Sequence, residues 1–292
     1  QEQPWASIKR CSLLLMAPKM LDWAGIGATG ALSLRVSVAS LVRVLLTDPR
    51  DGSAMLALER KATLDEMAQR ELVEVYAQPF GGAISIRDGK ALQDLIGGFH
   101  FDSERSRFER DFRLFIRPFS WPTLRAVCIE HLGRDHDPVL DSHPGRELVE
   151  EFFDVLGIKL LPAQYTCRSI GMVAEDNPHA THNPRARGYP TVRIYRVFEA
   201  RITDPALAQA LIANSEGVTD QALREQALRE AQSGGRGRAN AVLALQLEPI
   251  MIFFRELSPQ ERSHPVIFDG HQLDETVAEV LEGVCVPKYQ RM

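Results

Sequence analysis

Hydrophobic positions change period several times along the chain, and each change predicts an element. The run "LSLRVSVASLVRVLLTDP" is rich in β-branched residues with partial alternation, and the "DPRDGS" turn separates it from "AMLALER". That pattern predicts two strands joined as a hairpin. "TLDEMAQRELVEVYA" starts on a threonine with Glu66 three residues on and apolar spacing of three and four, which predicts a helix or a helix leading into a strand. "PFGGAISI" reads as a glycine turn feeding a strand, and "GKALQDLIGGF" as a short helix ended by glycine. "FRLFIRP" and "LRAVCIEHL" are expected as strands, and "TVRIYRVFEARI" has the clearest alternation in the chain. "DPALAQALIAN", "TDQALREQALREAQ" and "LDETVAEVLEGV" have helical spacing and capping residues, while "ANAVLALQL" suits strand or helix. Strands mixed with helices predict an α/β fold.

One helix is better bounded than the rest. In "SHPGRELVEEFFDVLGI", residues 142–158, Asp141 or Ser142 can cap the start, Pro144 suits a first turn, and Gly157 stands where the helix would stop. At 100° per residue, Leu148, Val149, Phe152, Phe153, Val155 and Leu156 are expected to form the core face, with Glu147, Glu150, Glu151 and Asp154 opposite. Like charges three and four residues apart repel by a few tenths of a kcal/mol per pair, by about 0.2–0.5. Only Arg146 offsets them, with no lysine among them. A solvated face usually alternates its charges. Carboxylates stacked in this way are also oxygen donors suited to Mg²⁺, with waters and substrate phosphates completing the shell.

Bulk properties narrow the classes. A chain of 292 residues, 45% hydrophobic, can bury one large core or two smaller ones. A net charge of -5 and a pI near 5.9 exclude a general attraction for nucleic acid or anionic lipid. Cys11, Cys128, Cys167 and Cys285 lie far apart without a C-x-x-C pair, which argues against a structural zinc site or a disulfide framework and fits the cytoplasm. Pro18, Lys19 and Asp22 interrupt the apolar N-terminal run, so neither a membrane span nor a signal peptide is expected there.

"RELVEE", Arg146–Glu151, resembles the heart of the Nudix box, G-x5-E-x7-R-E-U-x-E-E-x-G-U, where U is aliphatic. Arg146, Glu147, Leu148, Glu150 and Glu151 match it. Pro138 and Leu132 stand where the pattern has its first glutamate and first glycine, and Phe153 replaces its last glycine. "QPFGGAI" resembles the double-glycine turn before the box, and "TVRIYRVFEARITD" the strand after it. The resemblance implies a Nudix-like αβα sandwich with a mixed sheet over residues 33–204, carrying an insertion at about 85–140. An N-terminal arm would cover 1–32, and a mostly helical C-terminal extension 205–292. It further implies metal-dependent hydrolysis of a diphosphate linkage in a nucleotide derivative. Glu147, Glu150 and Glu151 would be ligands to Mg²⁺ or Mn²⁺, with Glu151 and Glu147 in catalysis and Arg146 organising them. A degenerate Nudix-like domain that binds a ligand or a protein without turnover, possible as a homodimer, is the alternative.

A second constellation lies in "EDNPHATHNPRARGYP", residues 175–190, expected as a long polar loop. His179 and His182 could carry protons or hold a metal, and Arg185 and Arg187 could hold phosphate oxygens of the substrate. A plain solvated loop with Asn-Pro turns is the competing account. "SGGRGRANA" lacks the lysine and spacing of a phosphate loop and is expected to be a tight turn.

Overall fold

The computed structural model describes residues 34–64, 73–134, 136–157, 159–180, 189–235 and 237–285. The expected N-terminal arm, His182, Arg185 and Arg187 lie outside the described residues, as does most of the helix expected after Thr63.

A long central strand organises the sheet. β1 (Leu34–Thr47) runs parallel to β10 (Pro190–Ile202), in register from Arg35 opposite Thr191 to Leu45 opposite Arg201. Its other edge is shared by three antiparallel strands in succession: β7 (Arg113–Ile116), β4 (Phe80–Ala83) and β2 (Ala54–Leu64). β9 (Tyr165–Ala180) flanks β10, while β3 (Val73–Gln78) and β11 (Arg238–Gln246) flank β2. Shorter pieces complete the sheet: β6 (His100–Phe101) beside β7, β12 (Val266–Phe268), and β13 (His271–Leu273) against β3. β5 (Ser85–Ile86) and β8 (Leu140–Asp141) pair separately. The sheet is mixed and mostly antiparallel, and the fold is α/β.

Helices cover both sides, which explains why β1 alternates only partly. Val42, Val44 and Leu46 pack under α4 (Pro144–Leu156) and α5 (Pro205–Gly217), while Leu41 and Leu45 face α7 (Leu247–Glu256) and α8 (Thr276–Cys285). Leu34, Val36 and Val38 pack with α1 (Gly89–Ile96) and α3 (Trp121–Leu132). A strand buried on both faces reads as an apolar run rather than an alternation. α2 (Glu104–Glu109) and α6 (Asp220–Gln232) complete the helices described. None of the described helices is long and apolar enough to cross a membrane.

Four expectations are corrected. "LRAVCIEHL" is helical, because Trp121, Leu124, Cys128 and Leu132 bury one face at spacings of three and four that outweigh its β-branched residues. The polar stretch from Glu175 to Ala180 belongs to β9, paired to β10 as far as Ala180 opposite Pro190. The chain after 205 is not simply a helical extension: β11 pairs with β2 along its whole length, and β13 joins β3. The outer edge of β11 is sealed by α5, where Asn214 and Ser215 accept the N–H groups of Val242 and Ala244 at 2.8 Å each. Finally, the cap of α4 is His143, whose Nδ1 accepts the Gly145 N–H at 3.1 Å, and not Asp141 or Ser142.

Candidate functional site: the glycine strand under the acidic helix

At Gly81 the chain runs so close to β1 that only glycine fits. Gly81 has φ +134°, and a Cβ there would sit 2.0 Å from the Ser40 carbonyl oxygen. Its backbone N–H donates to Glu151 Oε2 at 2.6 Å, across 70 residues of sequence. A charged acceptor on a backbone N–H makes a short, strong hydrogen bond. Gly81→Ala is therefore expected to break the β1–β4 pairing and detach Glu151, destabilising the chain by at least about 2 kcal/mol from clash and strained φ together. Urea unfolding of that variant beside the native chain measures it, and a change within ~0.5 kcal/mol would refute the steric account.

Helix geometry decides which carboxylate turns inward. Leu148 and Phe152 are fully buried, and the Phe152 ring lies 5.0 Å from that of Phe80. Glu151 follows Leu148 by three residues and precedes Phe152, so it borders the buried stripe and is half-buried against β4. Glu150 lies on the far side and is exposed. The expected acidic face is thus divided at these two residues. Phe153, expected in the core, is 58% exposed for the same angular reason.

Two strand residues that sequence reasoning missed complete the site. Glu59 and Lys61 alternate on β2, so their side chains share one face, with Gln78 and Tyr76 opposite them on β3. Lys61 Nζ lies 2.6 Å from Glu59 Oε2, and Gln78 Nε2 donates to that oxygen at 3.3 Å. Burial works against the charge of Lys61, but Glu59 and Glu151 more than offset it and hold its pKa above the usual lysine value. The Lys61 ammonium is a resident counter-charge for both carboxylates. Three consecutive charges on an interior strand, "LERKA", were the available signal.

The ends of a long excursion meet beside this site. Gly82 pairs with Ser40, and Ser40 Oγ donates to the Ser142 carbonyl at 3.0 Å, so residues 83–141 leave and return at one point on β1. Arg196 Nη1 fixes Ser142 Oγ at 2.7 Å. These contacts set the start of α4 and hence the height of Glu151 over β4.

The other expected residues are placed differently. The side chains of Arg146 and Glu147 lie outside the described set, as does that of His179. His179 sits opposite Thr191, level with Arg35, whereas Gly81 is level with Leu41. Six residues of strand, at about 3.3 Å each, put roughly 20 Å between the two levels. Among the described residues no three His, Cys, Asp or Glu side chains are grouped closely enough to hold a metal ion. Comparisons with family models, curated proteins and solved structures return no match.

Proposed function

We propose that the chain is a Nudix-type hydrolase that cleaves a diphosphate linkage in a nucleotide derivative, using Mg²⁺ or Mn²⁺. The observation that supports this is the Gly81–Glu151 hydrogen bond, which joins the double-glycine segment to the last glutamate of "RELVEE" although the sequence separates them widely. Carboxylate oxygens are the donors such an ion takes: Glu59 and Glu151 both act on Lys61 and so share its surroundings, and Glu147 would be the next candidate ligand on α4, with Glu150 turned to solvent. The bound ion would supply positive charge for the phosphate oxygens and acidify the attacking water. Glu151, whose Oε2 accepts the Gly81 N–H, would take the proton as the water oxygen bonds to phosphorus and the bridging P–O bond breaks. Arg146 would orient the carboxylates, and Arg185, Arg187, His179 and His182 are the proposed contacts to substrate.

A second reading, a ligand-binding module without turnover, is favoured by Lys61, which already balances two of the carboxylates. One experiment separates them. A panel of nucleoside diphosphates linked to sugars, alcohols or a second nucleoside is incubated with the chain and Mg²⁺, and release of nucleoside monophosphate is followed. The hydrolase reading expects turnover abolished by EDTA, and a Mg²⁺ requirement lowered about tenfold by Lys61→Met. A like unit charge about 4 Å from the ion would cost about 4 kcal/mol at an effective dielectric near 20, and a tenfold change needs only about 1.4 kcal/mol of that. Binding that survives EDTA, with no product from any panel member, would favour the module.

A further inference from the structure

The excursion between β4 and α4 carries a cleft of its own, about 940 Å³ in volume, lined by residues from Ile86 to Arg110 and by none from α4. Ligand pockets commonly measure about 300–1,000 Å³. Two of the three acids lining this cleft, Asp102 and Asp88, are engaged by the protein itself. Asp102 accepts Arg35 through Nε at 2.9 Å and Nη2 at 2.7 Å, and also Ser103 and Ser106. Asp88 caps α1 by accepting the Ala91 N–H at 2.9 Å. Glu104, with 92% of its side chain exposed, faces water.

Of the arginines lining the cleft, Arg87 is paired with Asp141 at 3.0 Å, whereas Arg107 and Arg110 are held far more loosely. Arg110 makes one long hydrogen bond, 3.4 Å, to the Arg87 carbonyl, and the nearest carboxylate to Arg107 is Glu104 at 3.9 Å. Arg110 also ends α2 in the left-handed conformation, φ 57°, a place usually given to glycine or asparagine. Arginine there carries a conformational cost that a guanidinium at the cleft offsets only if something uses it. Phe99 and Phe101, which also line the cleft, stand edge to face at 5.6 Å and are half-buried.

We propose that this cleft is a second binding site, distinct from the Glu151 site, for a mononucleotide-sized anion: phosphate held by Arg107 and Arg110, and an aromatic base resting on Phe99 and Phe101. A planar guanidinium fork suits phosphate oxygens, and ring stacking on phenylalanine suits a base. The site does not depend on the hydrolase reading.

Calorimetric titration of the native chain with AMP, in EDTA so that no divalent cation engages α4, tests it. Saturable binding is expected. The double variant Arg107→Gln, Arg110→Asn, in which asparagine tolerates the left-handed backbone, should weaken it at least tenfold. Phe101→Leu should remove the advantage of AMP over ribose 5-phosphate, and Glu151→Gln should leave AMP binding unchanged. Absence of binding to a folded native chain, binding indifferent to the arginine pair, equal affinity for ribose 5-phosphate in the native chain, or loss in Glu151→Gln would each overturn the proposal. Only the last would point back to α4.

Discussion

Replacing Phe152 by alanine is expected to destabilise the chain by about 3–5 kcal/mol, the range for a fully buried phenylalanine truncated where neighbours cannot close the gap. Phe152 has no exposed surface, and its neighbours are fixed on several elements: Phe80 on β4, Val42 and Val44 on β1, and Leu211 on α5. Sheet and helix residues held by their own ladders relax little, so the cavity persists. Phe152 also seats α4 on the glycine strand, which links packing to the site: the variant should lose stability and the Glu151 contact together. Guanidinium unfolding gives the magnitude. A loss under ~1 kcal/mol would mean that α4 is not anchored through this ring.

Glu151→Gln isolates the chemistry from the packing. Glutamine keeps the shape and an oxygen that can accept the Gly81 N–H, so the fold should hold within about 1 kcal/mol. The negative charge disappears, and with it both a proton acceptor and part of the counter-charge to Lys61. Turnover of any nucleotide substrate should fall by a factor on the order of 10²–10⁴, the usual contribution of a positioned general base. The fall should appear in kcat, because the role proposed for the group is on the reacting water. Unchanged kcat in a folded variant would remove Glu151 from the mechanism.

Much of the fold is written locally. Gly157 ends α4 in the left-handed conformation at φ 66°, Asp204 and Thr219 cap α5 and α6, and Gly97 follows α1, all at positions where side-chain chemistry dictates a stop or a start. "TVRIYRVFEARI" is indeed a strand, although its parallel pairing and burial on both faces depend on neighbours no local pattern can name. In "LRAVCIEHL" the β-branched residues speak for strand, while burial of Leu124, Cys128 and Leu132 follows the helical spacing that the structure adopts. At the site, the inward turn of Glu151 follows from its angle beside Leu148. Its partner does not, because Gly81 reaches it only through the registers of β4 and β1 and the return of the chain at Ser142. Lys61 stayed hidden for the same reason: a lysine on a strand looks solvent-facing until the helix above it is known.

The acidic helix, seated on the glycine strand, is the proposed site of a divalent cation. It is tested most directly by thermal unfolding under Mg²⁺ or Mn²⁺ titration, on the native chain and on the triple variant Glu147→Gln, Glu150→Gln, Glu151→Gln. A cation that binds only the folded chain adds about 2.7 kcal/mol at a hundred times its Kd, so the native chain should show a saturable rise in Tm that the triple variant lacks. A native chain whose Tm does not respond, or a triple variant that responds equally, would contradict the claim.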